Sequence, residues 1–568
     1  MTALPRPGTW WDPEGRRRSR EQLANLAQRS RQVLLLAGVT GVIVGAGVAA
    51  FDQVTRTVVF EALVQRSVAA QTLAPVVGLV LAAACLRWLA GGAGPATTDV
   101  FVRSYHDRET PLDLRPVLGR VAASVATLGL GGALGYEGPS LYAGAATGSL
   151  LQRRLARYFG REDAKVLMVA GAAAGVAAIF KAPATGLVFA LEVPYQDDLA
   201  RRSLLPAAIA AAAAYVTFVA LVGTTPLLAV VESPPFDLRD LGGAAVVGAL
   251  AGVGARLFSK LVGLAKSATT AAPVLVRALV AGSLLGAMAL GTNRLFDEPL
   301  SLGAGYRSLE WALDPNRAIA LVLALFALRA VATALTLAGG GVGGLFIPLA
   351  VQGALLGRAM GGLVGSSGST LFPLIGLAAF LGAGYRTPLA AVMFVAESTG
   401  RPGFVVPGLI AAVLAQLFMG RSSVSPYQVA ARAGHLERRF GLPVSAVLRT
   451  DLATAPSDSS VSEIFWNHVV GTRQRSVAIV DGVEYAGMVR LVDLRAVPQD
   501  RWESTPVAEV MQTDLPVGRV GWVVREAVAA MEQADTDQLV ILDDEDRYVG
   551  LVTTAEILNL DEILDEAS

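Results

Sequence analysis

Cysteine and histidine are nearly absent from this chain. Cys85 stands alone in an apolar run, which leaves no disulfide framework and no cysteine-based zinc site. His106, His435 and His468 lie too far apart in sequence to read as metal ligands. No Gly-Lys-Ser/Thr phosphate loop occurs, and no nucleophile elbow or His/Asp/Glu constellation argues for an enzyme. Charge is scarce too. Only 17% of residues are charged, and 47 basic residues balance 47 acidic ones, which argues against nucleic acid as a partner. The N-terminus lacks the early apolar core of a secretory signal.

What the chain has instead is apolar bulk. Hydrophobic residues make up 53% of it and the mean hydropathy is +0.52, too apolar for a soluble protein of 568 residues. Apolar runs recur at 33–51, 72–90, 164–180, 203–231, 241–253, 271–291, 317–338, 344–357, 371–384 and 403–419. Several reach the ~20 residues a spanning helix needs; others are shorter and broken by Gly or Pro, like helices that stop partway through a bilayer. Sixty glycines suit close helix approach. The reading is an integral protein of the cell (plasma or inner) membrane, with lipid as its surroundings. Residues 1–32 carry Arg6, Arg16, Arg17, Arg18, Arg20, Arg29 and Arg31, a basic arm that the positive-inside rule assigns to the cytoplasm. The polar C-terminal tail is assigned to the same side.

Composition changes near residue 437. Segment 33–436 is membrane-like, whereas 437–568 is acidic and polar, with alternating runs such as "RSVAIVDG" (475–482) and "DQLVILDD" (537–544) that read as short strands between helices. This tail repeats. "LPVSAVLRTDL" (442–452) returns as "TPVAEVMQTDL" (505–515), and "YAGMVRLVDL" (485–494) as "YVGLVTTAEI" (548–557), giving copies at about 437–504 and 505–562. Each copy reads strand–helix–strand–strand–helix and resembles a CBS domain, so the tail is identified as a tandem CBS module.

The apolar part repeats as well, over about 33–200 and 240–420. "GYEGPSLYAGAATG" (135–148) aligns with "GLFIPLAVQGALLG" (344–357), and "FKAPATGLVFALE" (180–192) with "YRTPLAAVMFVAE" (385–397). Gly/Pro-interrupted segments at matching places of two halves point to a site at the repeat interface. A helix that begins inside a membrane exposes its first N–H groups and its positive dipole end. Glycine before it lets a ligand approach, and proline in its first turn removes no needed donor. "GYEGP" and "GLFIP" are therefore candidate anion cradles: Gly135, Tyr136 and Gly138 in one, Gly344, Leu345, Phe346 and Ile347 in the other. Their tips are expected to face a shared spot. Glu137 is the one charged residue between Val121 and Gln152. A carboxylate there competes with an anion for the same amides, so it reads as gate and proton acceptor.

These segments resemble the CLC family of chloride channels and proton/anion antiporters. "GYEGP" is similar to the family's Gly-Arg-Glu-Gly-Pro, with Tyr136 in place of arginine. "GGLFIP" (343–348) is similar to its Gly-x-Phe-x-Pro, which puts Phe346 on the residue whose amide faces the ion. The resemblance implies an all-α inverted-repeat membrane domain with broken helices, a homodimer with one pathway per subunit, and small inorganic anions as cargo. It also implies contacts at three further places. The family's Gly-Ser-Gly-Ile-Pro matches "GGAGPATTD" (91–99), placing Ala93 and Gly94 at the anion; Thr97 and Thr98 follow at a different spacing. The family's anion-contacting tyrosine falls on Ser425 when aligned on Gln428, or on Tyr427 when aligned on the nearest aromatic. The inner glutamate of the antiporters falls on Val193, next to Glu192, and valine relays no proton. Glu192 and Glu397 read as helix-end acids with structural hydrogen bonds.

The loss at Val193 favours uncoupled, channel-like conduction gated by Glu137; the alternative is a proton-coupled antiporter of chloride, fluoride or nitrate. A CBS-regulated cation transporter is a remote alternative, since it would need several acids inside the membrane segments and the stretches around 121–152 and 330–357 do not offer them. No cofactor is required on this reading. An adenine nucleotide is a candidate ligand of the CBS pair, for which the resemblance implies Asp493 in the first copy and Thr553 and Glu556 in the second.

Overall fold

The computed structural model describes residues 13–107, 112, 114–155, 165–228, 238–268, 272–363, 370–430, 440–471 and 476–567. The first residues of the basic arm, His435 and the boundary near 437 lie outside them. The chain divides into two compact units, 5–431 and 432–568.

The first unit is all helix. Its principal helices are α1 (Pro13–Asp52), α2 (Val68–Ala84), α3 (Thr98–His106), α4 (Leu114–Gly129), α5 (Glu137–Arg154), α6 (Val166–Phe180), α7 (Pro183–Glu192), α8 (Leu204–Val222), α9 (Leu238–Ser267), α10 (Val274–Phe296), α11 (Tyr306–Leu313), α12 (Ile319–Ala338), α13 (Phe346–Leu363), α14 (Leu371–Tyr385), α15 (Pro388–Thr399) and α16 (Val405–Met419). A π-helical stretch, Gln53–Glu61, continues α1. Among the described residues, eight helices are long and apolar enough to cross a membrane. One of them, over Phe346–Leu363, is 78% buried against 33–44% for the rest, so α13 sits inside the protein and not against lipid.

The repeat is visible helix by helix: α5–α6–α7–α8 corresponds to α13–α14–α15–α16. Helices α6 and α14 both have 15 residues, all buried. At 1.5 Å per residue each is about 22 Å long, short of the ~30 Å hydrocarbon core. Both end on a residue in the left-handed conformation, Lys181 (φ 52°) and Arg386 (φ 56°), and a proline starts the next helix in each half. Glycines set the distance between each half-helix and its long neighbour. A Cβ on Gly144 or Gly171 would overlap the other's carbonyl, and Gly353 and Gly376 meet the same way.

A reciprocal pair of caps locks the two halves together. Glu192, the last residue of α7, accepts from the first-turn amides of α15, Leu389 N at 3.2 Å and Ala390 N at 2.9 Å. Glu397 of α15 accepts from the first turn of α7, Ala184 N at 2.9 Å, Thr185 N at 2.6 Å and Thr185 Oγ1 at 2.7 Å. Each acid satisfies donors that a proline-started helix leaves open, and each favours the positive dipole end it touches.

The second unit is α+β, two three-stranded sheets of one design. β1 (Thr454–Ala455) runs parallel to β2 (Ser476–Asp481), which pairs antiparallel with β3 (Glu484–Arg490); β4 (Val517–Arg519), β5 (Gln538–Leu542) and β6 (Tyr548–Thr553) repeat the order. The short helix α17 (Leu491–Leu494) follows β3, α18 (Val524–Gln533) lies between β4 and β5, and α19 (Thr554–Ala567) follows β6. The segments that open the two sequence copies are exchanged. Val444 and Val447 pack in the core of the second sheet, and Val507 in the core of the first. Val444 N donates to Trp522 O (2.8 Å) and Val507 N to Ser459 O (2.8 Å). The copies read from sequence at 437–504 and 505–562 are thus not the packing units, because each opening segment buries its valines on the other copy.

The glycine crossings give a test. Gly171→Val places methyl groups on the Gly144 carbonyl and is expected to cost at least the ~1–3 kcal/mol typical of overpacking. In detergent, it should lower the melting temperature or abolish a monodisperse peak, while Gly47→Ala, where nothing lies within 4 Å, leaves both unchanged.

Candidate anion and proton site

The N-terminal tips of α5 and α13 meet. Gly135 N donates to Gly344 O and Gly344 N to Gly135 O, both at 2.8 Å, a two-bond bridge just before each helix begins. Two helices that start at one bridge aim their open amides into one space. Glu137, the first residue of α5, turns its carboxylate across that space, and Oε1 accepts from Phe346 N at 2.6 Å. The amide of Ile347 also faces it. Oε2 is buried without a partner. A Cβ on Gly135 would overlap Oε2 and one on Gly344 would overlap Oε1, so both positions need glycine for the carboxylate to fold back. A Cβ on Gly138 would likewise press on Thr97 and Gly344.

An aromatic wall surrounds this point. The Phe346 ring lies 4.6 Å from Phe180, 5.2 Å from Phe189 and 5.0 Å from Phe394, centroid to centroid. Tyr385 packs edge-on against Phe189 at 5.3 Å. On another flank the buried Tyr136 ring stacks on Tyr306 (6.0 Å, 9° between planes) and meets Phe51 edge-on. Buried rings on these flanks lower the local dielectric, which strengthens the few polar contacts there.

Several residues stand elsewhere than the sequence alignment put them. Ala93 packs in an apolar cluster with Ala82, Leu86, Ala90, Ala123 and Val342. Gly94 offers its carbonyl to Arg120 Nε at 2.9 Å. The glycine-rich stretch is a turn before α3, and the residue that reaches the bridge is Thr97, just before Thr98 opens the helix, donating to Gly343 O at 3.3 Å. Tyr427 is 46% exposed, 6.0 Å from the Arg103 guanidinium, and is no part of the site. Two anchors fix that register. Val424 N donates to Gly384 O at 2.9 Å, and Gln428 Nε2 donates to the carbonyls of Val193, Tyr195 and Tyr385 (3.0, 3.2 and 2.8 Å). Between them Ser425 is turned inward, 1% exposed, with no partner for its hydroxyl. Leu345 N is engaged, donating to Tyr385 Oη at 3.3 Å. Val193 is fully buried. Tyr385 went unassigned in the sequence reading. The signal was present in the aligned segments "FKAP" and "YRTP", where tyrosine stands opposite Phe180.

Asp493, Thr553 and Glu556, expected from the resemblance to contact a nucleotide, each make local contacts. Asp493 Oδ2 accepts from Arg490 N (2.9 Å) and Oδ1 from Gln512 Nε2 (3.1 Å). Thr553 Oγ1 accepts from Glu556 N (3.2 Å), and the Glu556 carboxylate lies 3.7 Å from Arg449. No group of three or more metal-ligating side chains occurs among the described residues.

A family model described as voltage gated chloride channel matches residues 77–420, and one described as CBS domain matches 507–562. The chain is 30% identical over 307 residues to the H(+)/Cl(-) exchange transporter ClcA of Vibrio parahaemolyticus serotype O3:K6; the match covers 52% of this chain and 65% of that protein, just under two thirds of its length. Against ClcA of Salmonella paratyphi B it is 26% identical over 435 residues, 72% of this chain and 90% of that one. Its fold is similar to a slow cyanobacterial Cl-/H+ antiporter (TM-score 0.61, 20% identity, 68% of this chain and 94% of that one). It is also similar to a CLC-type fluoride/proton antiporter (0.60, 23%, 70% and 98%) and a eukaryotic CLC transporter (0.59, 17%, 94% and 98%). With the first family model spanning well over half its length, this chain is an integral membrane protein that belongs to the voltage-gated chloride channel (CLC) family.

Proposed function

We propose that the protein exchanges small inorganic anions for protons, with Glu137 as the group that couples them. One observation carries the reading: the Glu137 carboxylate rests on the Phe346 amide at 2.6 Å, where the α13 tip would otherwise hold an anion. Ionised, the side chain is an anion competing for those donors; protonated, it loses its charge-assisted bond and yields the place. Proton and anion thus exclude each other from one cradle, the elementary condition for exchange. The names of the ClcA relatives support the same choice. It replaces the channel-like conduction expected from Val193, which stays as the second reading because a buried valine offers no inner proton relay. Chloride is the first cargo to test, fluoride and nitrate the next. Assembly as a homodimer, cytoplasmic termini and regulation through the CBS pair belong to the same proposal.

Liposomes that hold the full-length protein under an opposing proton gradient separate the readings. Exchange predicts uphill chloride movement driven by protons; downhill chloride flux without proton movement makes the protein a channel. Glu137→Gln removes the charge and the titration, so proton-driven accumulation should vanish while downhill anion flux persists. Protonation frees the cradle, so wild-type flux should rise as pH falls, and the Gln variant should be flat from acid to mildly alkaline pH. Gly344→Ala, whose methyl group displaces the carboxylate from α13, should resemble the Gln variant in reduced coupling while keeping an ionisable acid.

A further inference from the structure

Exchange makes a demand that the cradle alone does not meet. Glu137 is buried, so other groups must bring its proton to it and take it away. The course of the helices sorts those groups by side. α6 starts at Lys165 and ends at Phe180, whose ring lies 4.6 Å from Phe346 at the cradle. α1 runs the same way: Val44 lies against Gly144, which crosses α6 at Gly171, and Asp52 lies near Lys181. The basic arm that begins α1 is therefore on the side where α6 begins. α7 returns to that side, and the acids at its end and just after it are committed. Glu192 caps α15, Asp197 pairs with Arg386 (2.6 Å) and Asp198 with Arg201 (3.6 Å).

His106 stands at this end, the one histidine among the described residues of the membrane unit. It closes α3, whose opening residue Thr98 follows the Thr97–Gly343 contact at the bridge, so the helix carries it about 12 Å away from the cradle. The ring is half-buried and its Nε2 lies 2.6 Å from Pro194 O. A carbonyl only accepts, so Nε2 holds a proton and Nδ1 can take a second. Tyr105 and Tyr195 meet the ring edge-on at 5.1 and 5.2 Å, their hydroxyls 3.2 Å apart. The neighbouring charge is Lys165, whose Nζ is bound by the carbonyls of Ser104, Tyr105 and Asp107. The carbonyls flanking Pro194, those of Val193 and Tyr195, are held by Gln428 Nε2, which also holds Tyr385 O. The turn that His106 touches is thereby tied to the aromatic wall around Glu137.

Resting on the exchange reading above, we propose that His106, bonded to Pro194 O beside the apolar Val193, is the proton carrier on the side of the basic arm. Nδ1 takes a proton from water on that side. Nε2 gives its own proton to a file of water leading to Glu137, whose Oε2 is buried without a partner. Return of the ring to its Nε2–H form, bonded to Pro194 O, resets it. One proton enters and one leaves, so the ring carries no net charge over the cycle. Glu192 stays bonded to the α15 tip and takes no part.

The test follows proton and chloride movement together in liposomes that hold the full-length protein. His106→Gln keeps an N–H donor for Pro194 O and removes the titration, so it separates proton carriage from support of the turn. Proton transport should fall about 100-fold, the lower end of what a placed acid–base group contributes, while downhill chloride efflux persists. A histidine that only supported the turn would leave the Gln variant coupled. Wild-type proton-to-chloride ratios in His106→Gln overturn the carrier and leave the exchange reading intact, and so does an equal loss of both fluxes in a monodisperse variant. His106→Asn, with a shorter donor, decides by the same outcomes where the Gln variant is not monodisperse. Chloride flux without proton movement in the wild type overturns both readings.

Discussion

A carboxylate held on the backbone amides of an opposed helix tip is the contact around which this membrane domain is arranged. Glu137 belongs to α5 and its acceptor bond to α13, so the contact exists only because the two tips are stitched at Gly135 and Gly344. The stitch needs residues without a Cβ, since any side chain there would take the carboxylate's volume. The helices behind the tips must in turn be short, buried and closely crossed, which is why α6 and α14 carry glycine where they meet α5 and α13.

The internal repeat builds this frame, and the chemistry sits where the repeat is broken. Glu137 and Phe346 occupy the same position, the first residue of their helices, and one gives its side chain to the other's amide. Two acids at that place would repel, and two apolar residues would leave both tips open. Phe180 and Tyr385 are again equivalents that differ by one hydroxyl. By contrast Glu192 and Glu397 keep the symmetry and are spent on it, each capping the other half. Symmetric residues hold the scaffold, and asymmetric ones face the space between the tips.

The α+β module follows the same economy of copying. Two sheets of one design arise from two sequence copies, yet each opening segment packs on the opposite sheet. Removing one copy would strip the other of buried valines, so the pair is one folding unit.

Much of this was legible in the residues. Apolar run lengths set the helical membrane domain, matched Gly/Pro interruptions exposed the two half-helix tips, and a lone acid in an uncharged run marked Glu137, because burying an unexplained charge is costly and local sequence records it. The tail's alternating runs marked its strands for the same reason: periodicity is a local property. Packing decided the rest. Whether Ser425 or Tyr427 faces inward depends on the anchors at Val424 and Gln428, whose partners lie as far off as Val193 and Gly384. Thr97, and not Ala93, reaches the bridge because α3 begins after the glycine turn. Tyr385 reads as one more wall aromatic until α14 brings it beside Leu345 and Thr98. A sequence states which groups are present and how each short stretch bends; which hydroxyl is left without a partner is settled only when distant segments close around it.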